Sequence, residues 1–102
     1  MRLKSSVKCI ALRPELTLAL IVVDGVYRRH GTECVVTSLN DSKHSKTSLH
    51  YSGAAADIRT RTLPAHLRQT VRDEISTRLT TDYDVILESD HIHIEYQPRR
   101  KD

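Results

Sequence analysis

The chain of 102 residues has the length of one small domain, and its three glycines and three prolines exclude collagen-like and linker-like sequences. With 38% hydrophobic and 28% charged residues, the composition is typical of a folded globular protein. The formal net charge is only +3, basic residues are interspersed with acidic ones, and the only aromatic residues are four tyrosines, so we expect no nucleic-acid partner. Six histidines in so short a chain call for an explanation.

Neither a targeting signal nor a disulfide framework is evident. The longest apolar run, residues 16–23, is too short to span a bilayer, and no cleavage site for a signal peptide follows it. We therefore expect a chain made in the cytoplasm without a signal peptide or a membrane span. Cys9 and Cys34 lie in apolar runs and form no CxxC pair, which favours buried free thiols over zinc ligation and leaves a single bridge as the alternative.

The first half of the chain predicts a strand, a helix, a strand and a loop. Residues 6–12 are predicted to form a short strand, and the following Arg-Pro pair ends it. Residues 14–30 predict a helix, with Gly31 suited to its C-terminal end. The apolar face of this helix comprises Leu16, Leu20, Val23 and Tyr27. Residues 32–38 are rich in β-branched side chains and predict a strand, whereas the polar residues 40–48 predict a loop.

The second half predicts a strand, a helix and a hairpin. Residues 54–61 predict the strand, and residues 64–79 predict the helix. The apolar positions of that helix recur every four residues, at Leu67, Val71, Ile75 and Leu79. Residues 83–88 and 91–96 predict the two arms of the hairpin, separated by two residues. The order of elements indicates an α+β domain in which two main helices pack on a largely antiparallel sheet.

The second arm of the hairpin has one polar and one apolar face because its side chains alternate strictly. His91, His93 and Glu95 lie on the polar face. A two-residue turn would place Glu88 opposite His91 and Ile86 opposite His93, so that Glu88 shares the histidine face. Two imidazoles and a carboxylate on one face have two interpretations, a solvated sheet surface or a metal site.

A second group of polar residues lies in residues 48–57, where small residues around Gly53 allow two backbone segments to approach closely. His50 and Asp57 carry an imidazole nitrogen and a carboxylate oxygen, and both kinds of atom bind zinc. One histidine of the hairpin would complete three protein ligands. Three protein ligands with an open fourth position are typical of catalytic rather than structural zinc sites.

These two segments carry a resemblance to a known family. The SxHxxGxAxD signature of the M15-type zinc peptidases is matched at every specified position, by Ser48, His50, Gly53, Ala55 and Asp57. The family includes D-alanyl-D-alanine carboxypeptidases and dipeptidases and the L-alanyl-D-glutamate endolysins of phages, and the Hedgehog fold is related to it. Residues 90–93 (Asp-His-Ile-His) resemble the second family motif, an acid-x-x-His or His-x-His segment.

The resemblance covers roughly residues 6–97 and implies a Hedgehog/DD-peptidase-like fold. Residues 1–102 would then form a single minimal peptidase domain, with a flexible basic tail at 98–102. The implied ligands of one zinc ion are His50, Asp57 and His93.

The family pattern also implies catalytic roles. The general base lies three residues before the last ligand, at Asp90, and Glu88 is its rival because it shares the histidine face. His91 would bind substrate or stabilise the oxyanion. An alternative assignment, with Glu88 as the base and His91 as the ligand, also fits the spacing.

Substrate contacts depart from the family pattern. Many members carry an arginine after the strand that precedes the first motif, and residues 37–43 contain none. Lys43 or Lys46 could substitute as point charges without the bidentate geometry of arginine. Ser48 and Tyr51 are further candidates for substrate binding.

The resemblance implies a zinc-dependent peptidase that hydrolyses peptidoglycan stem peptides by attack of a metal-activated water. It would be a D,D-carboxypeptidase or an endolysin-type endopeptidase, and the sequence leaves open which bond is cut. We expect a monomer that acts on the cell wall after release or from a virion, and the resemblance to phage endolysins is compatible with a phage-encoded protein. The alternative is a non-catalytic Hedgehog-like zinc-binding interaction module. The remaining histidines, expected to be structural or solvated, are His30, His44 and His66.

Overall fold

The computed structural model describes residues 1–7, 12–39 and 54–98. Its elements in chain order are β1 (Arg2–Leu3), α1 (Pro14–Arg29), β2 (Val35–Leu39), β3 (Ala55–Arg59), α2 (Ala65–Arg78), β4 (Tyr83–Leu87) and β5 (His91–Tyr96). These strands form one sheet in the order β1-β2-β3-β5-β4, in which β1 and β2 are parallel and the other neighbours are antiparallel. The predicted α+β class, with two helices and a largely antiparallel sheet, is confirmed.

The first strand lies earlier in the chain than the sequence predicts. Residues 5–6 form a turn, and residues 7 and 12 are not in a strand, so the prediction of a strand over residues 6–12 is wrong at both ends. The paired segment is β1, whose Arg2 N–H donates to the Cys34 carbonyl at 2.8 Å. Strand formation here depends on the available edge of β2, a tertiary contact that an apolar run does not reveal. Residues 8–11 lie outside the described residues.

Helix α1 confirms the predicted bounds closely. Pro14 occupies the first turn, where its missing N–H costs no intrahelical hydrogen bond. Gly31 follows the helix with φ of 72°, a left-handed conformation that glycine adopts without steric cost. The predicted apolar face is buried in full, at Leu16, Leu20, Val23 and Tyr27.

The core lies between the two helices and one face of the sheet. Helix α2 contributes Val71 and Ile75, whereas Leu67 and Leu79, predicted to share that face, are half-buried because they lie at the ends of the helix. The sheet contributes alternate residues, including Val36, Ile58, Ile92 and Ile94. The residues between them point to the opposite face, so packing the apolar residues against the helices places the polar residues of β3 and β5 on the opposite face of the sheet.

Candidate functional site

The β4–β5 hairpin has the predicted register. Ile86 lies opposite His93, and the Glu88 N–H donates to the His91 carbonyl at 2.8 Å across the two-residue turn. The alternation is also as predicted, because Ile92 is fully buried while the two histidines are half-buried on the opposite face. The register therefore fixes both imidazoles on one surface of the sheet.

Strand β3 brings Asp57 to the same surface. Asp57 is the cross-strand partner of His93, and Arg59 is the partner of His91. The Asp57 Oδ1 atom lies 2.8 Å from His93 Nδ1 and 3.7 Å from His91 Nε2. One carboxylate oxygen thus lies beside two imidazoles, and residues from the two sequence motifs meet through strand pairing.

His93 lies between two carboxylates. Its Nδ1–H donates to Asp57, and its Nε2–H donates to Glu95 Oε1 at 3.0 Å. Gln97 donates in turn to the other Glu95 oxygen. The hydrogen bond to Asp57, reinforced by Glu95, outweighs partial burial and raises the pKa of His93 to about 9. In the metal-free chain at neutral pH this side chain is therefore an imidazolium.

Glu95 was not predicted as a site residue. The strict alternation of β5 had already placed it on the histidine face, and this was the signal that could have assigned it. Its contact with His93 makes it a partner that orients the ring. Carboxylates commonly hold the second nitrogen of a metal-binding histidine in this manner.

The two candidate bases differ in their contacts. Asp90 Oδ1 lies 2.7 Å from His91 Nδ1, and this hydrogen bond lowers the pKa of Asp90 although its side chain is 85% exposed. The Asp90 carbonyl also accepts a hydrogen bond from the Thr60 N–H at 3.3 Å. The Glu88 side chain is exposed and forms no hydrogen bond or ion pair within the described part of the chain. Asp90 is therefore the carboxylate that is tied to the histidine face.

The described donors, a carboxylate oxygen and imidazole nitrogens, match zinc in chemical type. Ligand atoms about 2.0–2.1 Å from a tetrahedral zinc ion are separated from each other by roughly 3.3 Å. The Asp57–His93 and Asp57–His91 separations, 2.8 and 3.7 Å, fall on either side of that value. Among residues 1–7, 12–39 and 54–98, however, no group of three histidine, cysteine or acidic residues is placed to hold a metal ion.

Five candidate site residues lie outside the described residues. They are the predicted zinc ligand His50 and the candidate substrate contacts Lys43, Lys46, Ser48 and Tyr51. Of the three predicted zinc ligands, the structure therefore describes two, Asp57 and His93. The predicted tail at 98–102 is described only at Pro98.

A cleft of about 500 Å³ adjoins the histidine face. Its lining residues are Lys4, Thr37, Asp57, Arg59, Arg61, Asp90 and His91. The Thr37 hydroxyl donates to the Asp57 carbonyl at 3.4 Å, which ties β2 to β3 beside the cleft. Lys4, Arg59 and Arg61 were not predicted as site residues from the sequence. For Arg59 a signal was present, since it follows Asp57 by two positions on the same strand and so shares its face.

The contacts of His30 and the burial of Cys34 agree with the structural roles expected for them. His30 caps the C-terminal end of α1, and its Nε2 atom lies 3.0 Å from Glu74 Oε1. Cys34 is a buried free thiol, and burial raises its pKa to about 12. His66 is exposed on α2, as expected, whereas His44 and Cys9 lie outside the described residues.

Comparison of the chain with models of protein families, with curated proteins and with solved structures found no match. Within the described residues, neither helix has the length and apolar character needed to cross a membrane.

Proposed function

We propose that this protein is a zinc-dependent peptidase of the M15 type, with a Hedgehog/DD-peptidase-like fold, that hydrolyses peptidoglycan stem peptides. The observation that carries the proposal is the direct pairing of Asp57 with His93, 2.8 Å apart on neighbouring strands. Each of these residues belongs to a different motif of the family signature, and each is the zinc ligand that its motif implies. A chance match of two short patterns would not require the matched ligands to meet.

Under this proposal His50, Asp57 and His93 hold one zinc ion. When bound, zinc supplies a Lewis acid that acidifies a water molecule and polarises the scissile carbonyl. Glu95 orients His93 through the hydrogen bond to Nε2. To serve as a ligand His93 would have to be neutral, because only a neutral imidazole has a lone pair to donate, so its extra proton would be released to solvent.

Asp90 is the preferred general base. It lines the cleft together with Asp57 and His91, whereas Glu88 does not. The hydrogen bond from His91 lowers the pKa of Asp90 and so makes it a weaker proton acceptor, and its position in the cleft is what favours it over Glu88. His91, held by Asp90 through Nδ1, presents its Nε2 atom toward Asp57 and would stabilise the developing oxyanion or bind substrate.

The decisive test is hydrolysis of purified peptidoglycan by the zinc-loaded full chain, measured as release of new amino groups. We expect release from the wild type, loss in His93→Ala, and no change in His66→Ala, a histidine exposed on α2 away from the site. Asp90→Asn should lower kcat by about 100-fold or more, and Glu88→Gln should change it little. If activity survives in Asp90→Asn and disappears in Glu88→Gln, the general base is Glu88 and not Asp90.

A non-catalytic zinc-binding module is the second candidate. It is favoured by the engagement of Asp90 with His91, because a carboxylate that only orients an imidazole is not free to act as a base. Stoichiometric zinc binding without any release of amino groups would support this candidate and contradict the peptidase. As a peptidase the chain would act as a monomer on the cell wall after release or from a virion.

A further inference from the structure

Helix α1 is apolar on the face that points away from the core as well as on the buried face. Leu18 and Ile21 are 61% and 59% exposed, and they share this outer face with Val22 and Gly25, which follow at helical spacing. These four residues are called the α1 patch below. A helix that is apolar all round is typical of one that packs on both sides, and exposed apolar patches mark interaction surfaces.

A groove of about 380 Å³ opens within the α1 patch beside Gly25. Its lining residues are Ile21, Val22, Gly25, Val26, Arg29 and Arg78. Both arginines form ion pairs with Glu74, so their charges are compensated within the chain, and the other lining residues are apolar. No atom lies within 4 Å of the position that a Cβ atom of Gly25 would occupy. The groove therefore suits an apolar side chain rather than an anion.

The α1 patch is complementary in shape to a second copy of itself in the antiparallel orientation. If a two-fold axis passes beside Ile21 and Val22, Leu18 of one copy lies against Gly25 of the other. The exposed Leu18 side chain can then fill the space that the glycine leaves open. Because a two-fold axis repeats every contact, the same arrangement fills both grooves.

The charges at the ends of α1 favour the same orientation. Glu15 lies in the first turn, whereas Arg28 and Arg29 lie in the last turn. The ion pairs that Glu15 and Arg28 form with Arg13 and Asp24 are long, at 3.7 and 3.6 Å. In an antiparallel pair of helices, Glu15 of each copy lies near Arg28 of the other, and the helix dipoles are opposed. A parallel pair would instead place like charges together.

We propose that the α1 patch is the interface of a weak, antiparallel homodimer of this chain. Helix α1 is about 24 Å long, so a contact through this helix alone buries less surface than a standard interface of about 1,600 Å². We therefore expect a dissociation constant of about 100 µM. The chain is then a monomer when dilute, as expected for the proposed peptidase, and a dimer when concentrated.

The dimer leaves the cleft of each copy accessible. Helix α1 packs on one face of the sheet, whereas the histidine face and its cleft lie on the opposite face. The two clefts therefore point away from the interface, and a dimer can engage a polymer at two places, which strengthens binding because the second contact is intramolecular. The dimer itself does not depend on the chemistry of the cleft, so it would stand if the protein hydrolysed no peptide.

Sedimentation equilibrium of the full chain tests the proposal. We expect the mean mass to rise from that of a monomer toward that of a dimer between about 10 µM and about 1 mM. Ile21→Glu should weaken dimerisation by about tenfold or more, because it places a charge at the centre of the apolar contact. Ile86→Glu is the matched control, because it places the same charge on an isoleucine that is 46% exposed on β4, and it should have no effect. A monomeric mass at the highest concentration, or equal losses in the two variants, would overturn the proposal.

Charge reversal tests the antiparallel orientation. Glu15→Arg and Arg28→Glu each place like charges opposite each other in the dimer, so each variant alone should dimerise about fivefold or more weakly than the wild type at low salt. In an equal mixture both ion pairs can form again between one copy of each variant, and we expect a heterodimer about as tight as the wild-type dimer. Thermal unfolding of each variant verifies that it is folded. If the mixture associates no better than the separate variants, the antiparallel dimer is wrong.

A lipid surface is the other occupant that suits an apolar helix face. Co-sedimentation with vesicles of phosphatidylglycerol and phosphatidylcholine distinguishes it from a second copy, and we expect no binding to the vesicles. If the chain stays monomeric at every concentration and binds the vesicles in a manner that Ile21→Glu abolishes, the α1 patch is a membrane-binding surface and the proposed dimer is wrong.

Discussion

Asp57 Oδ1 and His93 Nδ1 lie 2.8 Å apart on adjacent antiparallel strands, although 36 positions separate the two residues in the chain. Strand pairing alone establishes this contact, because the two residues are direct partners in the register. Ile58 and Ile92, the next pair in the ladder, are completely buried and hold that register. A shift of β5 by one residue would turn Ile92 to the polar face of the sheet and separate His93 from Asp57.

Zinc binding should depend on this pair. We expect the wild type to bind one zinc ion, and Asp57→Asn and His93→Gln each to lower the affinity by about 100-fold, because each removes a ligand. Isothermal titration calorimetry measures the effect, with His66→Gln as a control that retains binding. If His91→Gln abolishes binding while His93→Gln does not, His91 is the ligand and the alternative assignment holds.

His93 of the zinc-free chain should titrate near pH 9, and Asp57→Asn should lower that pKa because it removes the main hydrogen bond to the imidazolium. NMR titration of the imidazole protons measures both values. The folded pKa lies above the unfolded value of 6.5, so the stabilisation is complete below about pH 6.5 and is lost as the pH rises through about 9.

The stability of the zinc-free chain should follow the same titration. Since the ring is partly solvated, the contribution is about 1 kcal/mol or less. The difference in unfolding free energy between wild type and His93→Gln, from urea denaturation, should therefore shrink between pH 6 and pH 10. A difference that grows over this range would contradict the assigned direction.

Tyr27→Phe should destabilise the protein by about 1 kcal/mol, because it removes the hydroxyl that donates to the Arg59 carbonyl from a fully buried position. Tyr83→Phe is the matched control: its hydroxyl donates to the Glu15 carbonyl at the same distance, 2.8 Å, but the residue is only half-buried. We expect the loss in Tyr83→Phe to be smaller, measured by chemical denaturation. Equal losses would show that burial of the hydroxyl is not the determining factor.

The same substitution at two glycines should have opposite effects. Gly31→Ala should cost about 1 kcal/mol, because φ of 72° is unfavourable for a side chain even though space is open there. Gly25→Ala lies within α1, also has open space, and should stabilise by about 0.5–1 kcal/mol through helix propensity. Thermal unfolding distinguishes the two, and Gly31→Asn should recover part of the loss because asparagine tolerates this conformation better.

Local pattern was sufficient for most elements of the fold. The helix ends at Pro14 and Gly31 follow from the backbone chemistry of those two residues, and the hairpin register follows from a two-residue turn between alternating arms. The position of the N-terminal strand could not be predicted from the sequence. β1 has only two residues and exists because it adds to the exposed edge of β2.

The histidine face shows which part of the site can be predicted from the sequence. Sequence alone determined that His91 and His93 share a face with Glu95, because the side chains of a strand alternate with a period of two. It also singled out Asp57 through the pattern of residues 48–57.

Only the tertiary structure decided that Asp57 pairs with His93, that Glu95 holds the second nitrogen of the ring, and that Arg59 lies opposite His91. These contacts arise from the order β2-β3-β5-β4 of the strands in the sheet. Strand order is set by how the apolar faces of all the elements pack together, which is a property of the whole chain and not of any local pattern.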